Sequence, residues 1–110
     1  MEINQEYVNV QDALKRIGGS MDLYKRLLKQ FTGGDYIEPL EEALNSEATE
    51  EAARLVHTLK GVAANLSLVK ISLKASELEH NFKNGIDHSE IFAELKDAYY
   101  ITSQEISKMF

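Results

Sequence analysis

Cysteine is absent from the 110 residues, which excludes disulfides, thiolate zinc sites and cysteine nucleophiles together. Proline occurs once, as Pro39, so little in the chain interrupts a long helix. Glycine is scarce, at six residues. Gly18-Gly19, Gly33-Gly34 and Gly85 read as stops between elements, while Gly61 falls inside a helical pattern. Alternating tracts of Val, Ile, Thr and Tyr are missing, which argues against strands. No apolar run approaches the ~20 residues that span a bilayer, and the opening MEINQEYVNV has no signal-peptide core. Basic charge is in deficit: twelve Lys and Arg against eighteen Asp and Glu leave a net charge of −6. Such a chain repels nucleic-acid phosphates and anionic membrane surfaces, so proteins and small cations remain as partners. The cytoplasm is the expected compartment, and the length suits one domain, 1–110, with one core.

What is present is helical periodicity. The spacing predicts six helices over roughly 9–17, 21–32, from Asp35 onward, 47–66, 69–84 and 88–109. Ser20 is expected to cap the second helix, and Ser46 with Glu47–Glu51 to open the fourth. Leu68, Ile71, Ala75, Leu78 and Phe82 form the stripe of the fifth helix; Ile91, Leu95, Tyr99, Ile106 and Met109 form that of the sixth. Long amphipathic helices joined by short connections predict an all-α fold, an antiparallel four-helix bundle built from the later helices. The two short N-terminal helices would cap or flank it.

The fourth helix holds the informative segment, Ala52 to Leu66. On a helical wheel with His57 at zero, Ala52, Leu55, Leu59, Val62, Ala63 and Leu66 fall within about 60° of the opposite face. His57 should therefore point outward, among Ala53, Lys60, Gly61 and Ala64. A glycine in mid-helix costs about 1 kcal/mol relative to alanine, and close approach of another molecule would offset that cost. An accessible imidazole beside an ammonium group, with steric room, is what a phosphoryl-accepting histidine needs. The neutral ring nitrogen attacks phosphorus, and the lysine offsets charge on the phosphoryl oxygens. The competing explanation is an ordinary surface histidine, with Gly61 serving tight helix packing.

His57-Thr58-Leu59-Lys60-Gly61 resembles the H-x-L-K-G signature of histidine-containing phosphotransfer (HPt) domains. Ala13-Leu14-Lys15-Arg16-Ile17-Gly18-Gly19, Leu23-Tyr24, Phe31, Leu40, Ala43-Leu44, Ala75 and Leu78-Glu79 extend the likeness over roughly residues 9–85. The resemblance implies an HPt-like bundle in which His57 carries the phosphoryl group and Lys60 is its charge partner. It implies that Gly61 admits the docking protein and that Glu79 bonds the second imidazole nitrogen. Lys83, one turn beyond Glu79, is a further phosphate-contact candidate, the alternative for these two being a plain solvated Glu–Lys pair. The implied partners are response-regulator receiver domains or a hybrid histidine kinase, with magnesium on the receiver and no cofactor on this chain. Docking is expected around Ala53, Gly61 and Ala64, with Leu14, Ile17 and Met21 as its apolar contact residues. A monomer is the default expectation, and the initial methionine favours a free-standing protein over a piece of a hybrid kinase.

Two positions depart from the family pattern. Val62 stands where a small polar residue is common, and Ser67 where a glycine is common. A different turn at Ser67 would disturb the placement of Glu79. His80 and His88 lack an H-x-x-x-H spacing, which argues against a three-histidine metal site. Gly33-Gly34 lacks the lysine and serine of a phosphate loop. The alternative function is a helical adaptor that binds a receiver or another protein without chemistry.

Overall fold

The computed structural model describes residues 2–110. Six helices follow one another: α1 (Val10–Arg16), α2 (Met21–Gly33), α3 (Glu38–Asn45), α4 (Thr49–Asn65), α5 (Val69–Asn84) and α6 (Ser89–Ser107). Each has a local cause. Asn9 accepts the Asp12 N–H at the start of α1, and Ser20 accepts the Leu23 N–H at the start of α2. Pro39 sits in the first turn of α3, where its missing N–H costs nothing. Gly85 closes α5 in the left-handed conformation that glycine adopts without strain.

Two starts differ from expectation. α3 begins at Glu38 because the Asp35 carboxylate accepts the N–H groups of Ile37 and Glu38, both at 3.0 Å, and so holds a turn before the helix. α4 begins at Thr49, without a side-chain cap. Ser46 serves the preceding helix instead, its hydroxyl donating to the Glu42 carbonyl at 2.8 Å.

α4, α5 and α6 fold back on one another through short connections. Lys74 bonds Glu94 at 2.7 Å between α5 and α6, and Lys96 bonds Glu41 at 3.0 Å between α6 and α3. α3 completes the bundle against α4, contributing Leu40 and Ala43. α2 flanks it and adds Tyr24, Leu28 and Phe31 to the core. On α6 the buried stripe is Phe92, Leu95, Ala98, Thr102 and Ile106, and Tyr99 is half-buried, in contact with Phe31 at 5.5 Å between ring centres.

The corner between α4 and α5 is fastened from three sides. Tyr24 donates its hydroxyl to the Leu66 carbonyl at 2.8 Å, and burial pushes its pKa up to about 12. Val8, fully buried, pairs with Leu68 in an isolated antiparallel bridge. Asn9 N–H donates to the Ser67 carbonyl and Val69 N–H to that of Tyr7. Ser67 itself has φ +54, the left-handed region that costs a non-glycine residue about 1–2 kcal/mol. Its buried hydroxyl donates to Asp12 Oδ2 at 2.6 Å and, with Arg16, holds that carboxyl below its ordinary range. Serine therefore keeps the glycine-type turn, with a hydrogen bond offsetting the strain.

Ser67→Ala retains the strain and loses the bond, so it should destabilise the fold by about 1 kcal/mol. Ser67→Gly loses the bond but also the strain and should stay close to wild type. Urea unfolding of the two variants measures the difference. An alanine variant as stable as the glycine variant would refute the account of this corner.

Candidate functional site

Four fully buried residues of α4, Ala52, Val56, Leu59 and Ala63, define its inward direction. That meridian is turned toward Val56 relative to the wheel centred opposite His57. Leu55 and Val62 are consequently half-exposed, not core. The rotation arises because α5 packs on the Val56–Lys60 side of α4 and covers it. His57 lies well clear of the core, with its side chain 71% exposed.

α5 presents the complement. Ile71, Ala75 and Leu78 point into the bundle, and Glu79, next to Leu78, is carried to the edge of that stripe. Its side chain is only 11% exposed. A carboxylate so placed must be satisfied by hydrogen bonds. Oε2 lies 2.7 Å from His57 Nδ1, and Oε1 accepts from Lys60 Nζ at 2.5 Å. Lys83 Nζ stands 4.0 Å from the same Oε1, on a side chain 73% exposed. Lys60 foremost, then His57, hold the Glu79 carboxyl below its ordinary value, against the opposing effect of burial.

The chemical consequence is a fixed tautomer. A carboxylate only accepts, so Nδ1 must carry the ring hydrogen. In the neutral ring Nε2 is then left with its lone pair on the exposed edge. One side chain of the neighbouring helix thus fixes the ring and leaves Nε2 unoccupied.

Gly61 lies on the same exposed surface, and a Cβ built there meets nothing within 4 Å. Its absence of side chain is not explained by packing within the chain. Ala53 and Ala64 on this face are half-buried. Of the apolar contact residues expected from α1 and α2, only Met21 is exposed. Leu14 and Ile17 are half-buried against the core, because the short α1 turns that side toward the bundle. A groove of about 330 Å³ lies further along α4, lined by Leu27, Gln30, Phe31, Tyr36, Val62, Asn65 and Leu66. Sequence reasoning missed it because Val62 was placed inward. Among the described residues no group of three or more His, Asp or Glu side chains is arranged to hold a metal ion. His80 lies against Asn84, and His88 against Phe82.

Replacing the free glycine tests its internal role. Gly61→Ala should raise stability by about 0.5–1 kcal/mol, read as a higher Tm, since helix propensity improves and nothing clashes. A lower Tm would show that the position is packed. Glu79 gives a pH test. Its depressed folded pKa contributes stability above the ordinary 4.5, and that contribution is lost as pH falls through the folded value. The stability gap between wild type and Glu79→Gln, measured by thermal unfolding at pH 7, should therefore narrow progressively below pH 4.5. A gap that is constant with pH would place the stabilisation elsewhere.

Comparison with curated proteins and with solved structures returned no match. The family model described as Hpt domain matches residues 27–105, from within α2 to the last turns of α6. Hpt domains are the histidine phosphotransfer modules of phosphorelays; they act with receiver domains and histidine kinases, and generally as carriers, not enzymes. The helical bundle agrees with that family, and no described helix is long and apolar enough to cross a membrane. With most of its length matched, the chain belongs to the Hpt domain family.

Proposed function

We propose that His57 is the phosphoryl carrier of this domain and that it exchanges the group with aspartates of receiver domains. Nε2 attacks the phosphorus of an aspartyl phosphate. The N–P bond forms as the P–O bond to the aspartate breaks, and the electron pair leaves with the carboxylate. Attack by a second receiver's aspartate reverses the sequence. Magnesium belongs to the receiver, and this chain supplies the nucleophile and a cation.

The observation that carries this reading is the Nδ1–Glu79 contact at 2.7 Å on a ring 71% exposed. The bond does three things at once. It sets the tautomer, aims Nε2 outward, and places a negative charge beside the ring as phosphorylation turns it into an imidazolium. Lys60, 32% exposed, is near enough to meet the phosphoryl oxygens by side-chain rotation. Gly61 and the half-buried alanines leave the receiver room to bring its aspartate in line. The helical-adaptor alternative explains the open surface but gives no reason for a buried carboxylate on an exposed imidazole.

Incubation with a phosphorylated receiver and magnesium should place acid-labile label on the wild type and none on His57→Gln. Lys60→Ala should keep its helicity and transfer about ten- to a hundredfold more slowly. Gly61→Gln should raise KM for the receiver more than it lowers kcat, because its side chain obstructs docking. Receiver binding without label on the wild type would establish the adaptor instead.

A further inference from the structure

Two lysines converge on one carboxylate oxygen. Lys60 Nζ holds Glu79 Oε1 at 2.5 Å, while Lys83 Nζ waits at 4.0 Å from the same atom. In the resting state one cation is enough for Glu79, and Lys83 has no closer anionic partner among the described residues. With a neutral imidazole, the cluster of His57, Lys60, Glu79 and Lys83 carries one surplus positive charge.

Phosphorylation changes what Lys60 must do. A phosphoryl group brings about −1.5 to −2 of charge and three strong acceptors. Lys60 lies one turn from His57 on α4 and shares Glu79 with it, whereas Arg54, one turn the other way, is paired with Glu51, so Lys60 is the cation placed to turn to the incoming group. Once it turns outward, Glu79 Oε1 is left without its ion pair although the side chain is only 11% exposed. Oε2 keeps the imidazolium, but a nearly buried Oε1 left unsatisfied is disfavoured, and the carboxylate would turn to satisfy it at the expense of the bond to His57 Nδ1.

We propose that Lys83 is a positioning residue that takes over Glu79 when Lys60 moves to the phosphoryl group. Its place one turn beyond Glu79 on α5 lets it close the 4.0 Å gap by rotating its own side chain, with no movement of either helix. Lys83 thus acts on the phosphorylated state through Glu79. It keeps Glu79 Oε1 paired, the ring oriented and the phosphohistidine protected while the direct contact belongs to Lys60. The inference rests on the phosphoryl-carrier reading of His57.

Potassium phosphoramidate, which donates a phosphoryl group without any docking protein, separates the two. Wild type, Lys83→Gln and Lys83→Arg are phosphorylated with it, and the half-life of the phosphohistidine is followed by phosphorus NMR. Lys83→Gln should shorten that half-life about three- to tenfold, and Lys83→Arg should restore it. In a Glu79→Gln background, which has no charge to neutralise, Lys83→Gln should have no further effect. Equal half-lives in all three chains, failure of arginine to rescue, or effects that add in the Glu79→Gln background would each overturn the proposal. Additivity would place Lys83 on the phosphoryl group itself. No phosphohistidine on the wild type would overturn the carrier reading and this inference with it.

Discussion

One buried carboxylate organises this surface. Glu79 bonds a histidine and a lysine of the neighbouring helix at the same time, through different oxygens. Exposed ion pairs contribute little, because water competes for both partners and long side chains lose freedom in forming them. Here the carboxylate is withdrawn from water while the imidazole stays in it. The pairing therefore orients more than it stabilises. A ring that would sample several rotamers on a bare helix is held with one nitrogen occupied and the other free.

That geometry depends on a corner far from the histidine. Glu79 meets His57 only if α5 leaves the 66–68 turn at the correct angle and rotation about its axis. The corner is tied to the N-terminal segment through Val8, Asn9 and Tyr7, to α1 through Asp12, and to α2 through Tyr24. The N-terminal third of the chain thereby takes part in aligning the site without contributing a reacting group. Ser67 shows how a departure from the family pattern is absorbed. Its left-handed backbone retains the turn, and its hydroxyl finds a carboxylate.

Much of this was legible beforehand. Six helices were expected and six are present among the described residues, with most boundaries within two residues, since Gly18, Gly19 and Gly85 take the left-handed backbone that ends a helix. The later starts of α3 and α4 have different causes. Asp35 holds a turn ahead of α3 by accepting the N–H groups of Ile37 and Glu38, whereas Ser46, a capping residue type, bonds back to Glu42 of α3 and leaves α4 uncapped. Side-chain type signals that a cap is near, and not which helix receives it. On α4 the wheel found the outward direction of His57 but centred the core wrongly, because Val56 is equally apolar and a wheel contains no neighbouring helix. On α6 the buried Thr102 and Glu105 could not be read from an apolar stripe.

The sequence by itself determined the helices, their exposed faces and the presence of His57, Lys60 and Gly61 on one of them. These are properties of a single chain segment, fixed by a 3.6-residue period and by side-chain type. Only the tertiary structure decided that Glu79 is buried, that both its oxygens are engaged, and that Lys83 stands just out of reach. Those facts depend on how two helices are rotated against each other, and no periodicity within either helix encodes that rotation. It is set by packing at the core and by the hydrogen bonds of one left-handed turn.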